Sequence, residues 1–91
     1  MIVCLLGCKD YHKDMREWVE AIPSGTIVEK VKAQQPDYLE IDWNHPISKE
    51  NGVVWYRITT IKGHQDPVPI LFYIEFNSEG LIGHGWERVA E

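Results

Sequence analysis

The chain has 91 residues, a formal net charge of −5, 44% hydrophobic and 25% charged residues. That length bounds it to one small domain with a single core, and the balance excludes a disordered tail or a low-complexity linker. An acidic chain repels phosphates, and its nine Lys and Arg are scattered from Lys9 to Arg88, so no nucleic-acid partner is expected.

Residues 1–8 read MIVCLLGC, apolar up to the abrupt stop at Lys9-Asp10. Two readings are open. Leu5-Leu6-Gly7-Cys8 has the shape of a lipobox, in which the cysteine receives a lipid, although no basic n-region precedes it. Alternatively, residues 1–7 are a buried strand or a leader. Cys4 and Cys8 are the only cysteines, and a bridge between them would close a trivial loop, so no disulfide scaffold is expected. No stretch reaches the roughly 18 apolar residues of a spanning helix.

Residues 10–22 carry the strongest helical period. Tyr11, Met15, Trp18, Val19 and Ile22 share one face, and charged residues cover the other. Asp10 is the expected N-cap, and Pro23-Ser24-Gly25 ends the helix. Residues 26–35 predict a second, short helix. Thr26 and Glu29 have capping-box spacing, and Pro36 stops it, although Thr26-Ile27-Val28 would also suit a strand.

The second half predicts sheet. Leu39, Ile41 and Trp43 alternate with Tyr38, Glu40 and Asp42, and Asn44-His45-Pro46 breaks the strand. Asn51-Gly52 marks a turn. Residues 53–62 are rich in β-branched and aromatic side chains. After the loop Gly63–Pro67, Ile70, Phe72, Ile74 and Phe76 alternate with Leu71, Tyr73 and Glu75. Asn77-Ser78-Glu79-Gly80 reads as a hairpin loop, and residues 81–89 as the last strand. Gly83 and Gly85 inside it suggest a bulge or a close approach by another backbone. The expected architecture is a two-layer α+β sandwich, with one or two N-terminal helices on an antiparallel meander of three or four strands.

Chemistry-bearing patterns are sparse. His12, His45, His64 and His84 lack the spacing of a metal site, and surface or half-buried polar roles account for them. Ser24, Ser48 and Ser78 sit in turn-like contexts, and no nucleophile motif or phosphate-binding loop is present. Glu40 and Asp42 share the solvent face of a strand, the usual place for such charges. No catalytic residue, metal or cofactor is assigned. The chain is rich in large rings, with four Trp, four Tyr and two Phe, and most of them belong in the core. Strand alternation prevents Trp55 and Tyr56, or Phe72 and Tyr73, from facing the same way, so one of each pair should face outward or toward a partner.

Gly25-Thr26, a short helix with Val31, and Pro36 form one stretch of a known pattern. Trp55-Tyr56, Gly63-His64, and Ile70 through Phe76-Asn77-Ser78-Glu79-Gly80-Leu81-Ile82 form another. Together they resemble the SmpA/OmlA family of small outer-membrane lipoproteins of Gram-negative bacteria, whose related inhibitor-protein fold sets a helix-loop-helix on such a sheet. Residues 37–52 have no clear counterpart in that pattern. The resemblance implies lipid attachment at Cys8, a location at the periplasmic face of the outer membrane, and a non-enzymatic accessory or scaffold role in binding envelope proteins. It implies candidate protein contacts at Gly25, Thr26, Val31, Gly63 and His64. The alternative reading is a soluble cytoplasmic module binding a small ligand or a protein, with an apolar pocket lined by Trp18, Trp55 and Phe72.

Overall fold

A computed structural model describes residues 9–89, and its elements follow the expected order. Helix α1 spans His12–Ala21 and helix α2 Val28–Ala33. Strands β1 (Leu39–Ile41) and β2 (Ile47–Ser48) precede a short 3-10 turn, Glu50–Gly52. Three long strands close the chain: β3 (Val54–Ile61), β4 (Ile70–Asn77) and β5 (Gly80–Arg88). All pairings are antiparallel. The order across the sheet is β1-β3-β4-β5, with β2 beside the start of β3. The fold is α+β, with both helices on one face of a meander sheet.

The helical period sets the packing. Met15, Val19 and Ile22 of the α1 segment are buried with Val31 of α2 against Leu39, Ile58, Ile61, Ile74, Phe76 and Leu81, while Tyr11 and Trp18 lie half-buried at the margin. Period-2 alternation holds along β4, where Ile74 and Phe76 are buried. In β3 it slips. Ile58 and Ile61 are both buried although three residues apart, because the register against β1 shifts between Glu40 and Ile41.

Several local expectations change. The cap of α1 is Tyr11, with no side-chain bond. Asp10 instead accepts a 2.8 Å bond from the His12 amide, one residue further out than a cap would sit. The capping box at Thr26 does not form, because the Thr26 hydroxyl donates back to the Pro23 carbonyl (2.7 Å). Strand β1 ends at Ile41 rather than Trp43. Asp42 turns its carboxylate onto the Asn44 amide and the His45 ring, and the Trp43 indole donates to Gln35 (2.7 Å). Residues 47–48 add a short strand that the sequence pattern does not mark.

Two close approaches tie α1 to the sheet. After α1, the Gly25 amide donates to Leu81 O and the Leu81 amide to Thr26 O, both at 2.9 Å. Before α1, the Tyr11 amide donates to Lys62 O (3.0 Å), and the Lys9 carbonyl lies where a Cβ on Gly63 would stand. Gly80 has φ +115°, and a Cβ there would fall 2.4 Å from the Gly25 carbonyl. Gly80→Ala should therefore cost at least about 2 kcal/mol, from backbone strain plus the clash. Gly83→Ala on the same strand meets nothing within 4 Å and should stay within about 0.5 kcal/mol of the parent. Urea denaturation of both variants checks the pair.

Candidate binding cleft

The N-terminal tie of α1 and the β3–β4 turn meet at one end of the sheet. There Asp10 precedes α1, His12 opens it, and the turn at Gly63 delivers His64, whose amide donates to Ile61 O. Alternation brings Ile70, Phe72 and Trp86 to the helix-covered face at the same end. Ile70 and Phe72 are only half-buried there, and Trp86 is exposed. A cleft of about 250 Å³ is left, lined by His12, His64, Asp66, Ile70, Phe72 and Trp86. Trp86 is 62% exposed at its rim.

The charges in this cleft are matched internally. His64 Nδ1 is 2.8 Å from Asp10 Oδ2, and Nε2 is 3.1 Å from both oxygens of Asp66. Ionised carboxylates only accept, so both bonds form together only when both ring nitrogens carry a proton, an arrangement that favours the charged form of His64. Burial works against that charge, but the bonds and fields of Asp10 and Asp66 outweigh it and hold the His64 pKa above its ordinary 6.5. The His64 bond in turn holds Asp10 below its ordinary 3.8. His12 stacks on His64 at 4.7 Å and 18°. Burial first, then the charges of His64 and Arg16, push the His12 pKa below 6.5. Phe72 sets its ring against both imidazoles, at 5.1 and 5.6 Å.

The residues singled out in the sequence are divided between distant places. Gly25 and Thr26 bond Leu81 at the β4–β5 turn, the far end of the sheet from Gly63 and His64. Val31 is fully buried, so its side chain offers no surface to a partner. Cys8 lies outside the described residues, as does the whole of residues 1–8. The expected apolar pocket needs correction. Trp18 packs at the core margin and Phe72 stands in the cleft, but Trp55 is on the opposite face of the sheet. Its ring stacks on Tyr73 at 3.6 Å, its indole N–H donates to Glu75, and Lys49 lies over it at 4.3 Å. Gly85 makes room for Tyr73: a Cβ there would lie 2.5 Å from the Tyr73 hydroxyl, so the close approach comes from a side chain and not from a backbone.

In the sequence His12 has the pattern of an ordinary polar residue, and nothing there places Asp10, Asp66 or Ile70 in a site. A local signal was present in Asp10-x-His12 and His64-x-Asp66, acid and imidazole two apart in each. The other histidines have single partners: His84 meets Glu20 and His45 meets Asp42, each at 3.0 Å. Among the described residues, no cluster of His, Cys, Asp and Glu is arranged to hold a metal, and no helix is long and apolar enough to cross a membrane. Set against protein families, curated proteins and solved structures, the chain matches none.

The pKa values of the two imidazoles should be displaced in opposite directions. His64, with its raised value, contributes stability that is complete below pH 6.5 and is lost as pH rises through its folded value. His12, with its lowered value, contributes stability that is present above pH 6.5 and lost as pH falls through its folded value. NMR titration of the ring protons should place His64 above 6.5 and His12 below it. Asp10→Asn should lower the His64 midpoint, and an unmoved midpoint would show that this ion pair does not form.

Proposed function

We propose that this chain is a non-enzymatic accessory domain that binds other proteins of the bacterial envelope, held at the periplasmic face of the outer membrane by a lipid on Cys8. The observation that carries the reading is the cleft, whose charged groups are committed to one another. His64 cannot exchange a proton with a substrate without breaking a bond to Asp10 or Asp66. What the cleft offers is a shaped, largely apolar surface of Ile70, Phe72, Trp86 and the face of His12, rimmed by carboxylates. Aromatic walls with a polar rim suit a protein side chain, and at about 250 Å³ the cleft lies at the small end for a ligand pocket, where roughly 300–1,000 Å³ is usual.

The anchor rests on the Leu5–Cys8 pattern and on the place of the residue that follows it. The Lys9 carbonyl sits against Gly63, and Lys9 Nζ pairs with Asp14 at 2.8 Å. A lipid on Cys8 would therefore hold the cleft end of the domain close to the bilayer. No cofactor, metal or nucleic acid enters this reading.

The test is expression in a Gram-negative host with the upstream DNA included. A product that begins at Cys8 with added acyl mass, sits in the membrane fraction and becomes soluble on Cys8→Ser is expected. A photo-crosslinking residue at position 70 should capture an envelope protein, and one at position 57, on the other face, should not. A soluble, unmodified chain that keeps Met1 would overturn the anchor, and the alternative of a soluble module with a small apolar ligand in the same cleft would take its place.

A further inference from the structure

Strand β5 is an edge. Its sheet partner is β4, and among the described residues no strand pairs with its other side. The direction of its backbone groups follows from parity. The Val89 amide donates to Pro69 O, so residue 89 turns toward β4. Alternation turns Glu87, Gly85 and Gly83 the same way, and His84, Trp86 and Arg88 outward. At the start of the strand the outward groups of Leu81 are occupied by Gly25 and Thr26, and among the described residues no backbone group bonds those of His84, Trp86 or Arg88.

This edge also carries most of the exposed apolar bulk. Among the described residues, Ile82 (43% exposed), Trp86 (62%) and Val89 (45%) lie on it or at its end, and of the other large exposed hydrophobics only Ile27 lies elsewhere. The strand is nine residues long, and past the bulge at Ile82 it has neither Pro nor Lys to guard its edge.

We infer that two copies of the chain pair along β5, antiparallel about a two-fold axis at Trp86, to form one continuous sheet. In this register Trp86 opposes Trp86 and His84 opposes Arg88 of the second copy, each opposed pair exchanging both of its hydrogen bonds. The side chains favour a second copy over an unrelated strand. Arg88 is exposed and has no ion pair among the described residues. Opposite it stands His84, held by Glu20, whose side chain is 61% exposed. Arg88 of each copy thus meets the Glu20 carboxylate of the other, twice by symmetry. On the far face, Glu87 comes opposite Gly85, where the Tyr73 hydroxyl provides a donor. Sliding the register toward Leu81 runs the second copy into Gly25 and Thr26, and sliding it the other way leaves little strand to pair. The two clefts then flank the axis, with the Trp86 rings between them.

The inference does not depend on the envelope reading, since it concerns the edge and not Cys8. Light scattering and sedimentation of the full chain under reducing conditions test it. The parent should be a dimer at micromolar concentration. Trp86→Pro removes an outward N–H and the indole while sparing the bonds to β4, and should give a monomer with the circular dichroism of the parent. Arg88→Glu should raise the dimer dissociation constant at least about tenfold, and combining it with Glu20→Arg should restore pairing. His12→Ala, in the cleft and away from the edge, should remain dimeric. A parent that stays monomeric overturns the inference, as does a dimer that survives both Trp86→Pro and Arg88→Glu.

Discussion

The fixing of α1 at both ends governs the rest of the structure. At its start, the Tyr11 amide bonds Lys62 and the Lys9 carbonyl presses on Gly63. Past its end, Gly25 and Thr26 bracket Leu81, and Gly80 has no side chain to keep them away. A helix of ten residues is marginal alone in water and takes its stability from the apolar face it buries. The two ties decide where that face lands. Met15 and Val19 join Ile74 and Leu81 in the core, and at the first turn the His12 ring meets Phe72 and leaves a cleft beside it. The cleft is what remains uncovered beyond the N-terminal tie, and the free length of β5 is what remains beyond the C-terminal one. Both surfaces follow from the same placement.

Much of the fold was legible because local periodicity and burial agree. The spacing of Tyr11, Met15, Trp18, Val19 and Ile22 marks the helix face, and Ile70 to Phe76 marks a strand with one side in the core. Failures came where a side chain found a better partner than the local rule supposes. Thr26 has the sequence of a capping box, yet its hydroxyl finds the Pro23 carbonyl first. Asp42 continues the strand alternation on paper, but bonds to Asn44 and His45 end the strand. The candidate site was harder to see because it is assembled across the chain. His64 and Asp10 are 54 residues apart, and nothing in the spacing joins them until Tyr11 is tied to Lys62.

Trp55 shows how far alternation can be trusted. It places Trp55 and Tyr56 on opposite faces, but which face is the core depends on where the helices dock. Tyr56 turned inward, with Trp43 and Phe76 around it. Trp55 is 8% exposed on a face without helices. Its cover is made on the sheet itself, by Tyr73 on one side and Lys49 over the ring. An aromatic pair of this kind contributes about 0.5–1.5 kcal/mol beyond area burial. It also covers most of the Trp55 ring. Among the described residues, the large exposed hydrophobics lie at Ile27 and along β5 and its end.

That asymmetry bears on how the edge is used. A free strand with exposed Ile82 and Trp86 is an aggregation hazard unless its pairing is limited. Here the limit is geometric. Gly25 and Thr26 block the beginning of β5, and the extra residue at Ile82 shifts the register against β4 just beyond the block. Only the segment from His84 to Arg88 presents outward backbone in regular succession. A closed two-fold pair satisfies this segment once and uses it up, since the other edge of the sheet is formed by the short strands β1 and β2. The same short segment carries Arg88 and faces Glu20 across the axis, so the chain that fits the edge most fully is another copy of itself.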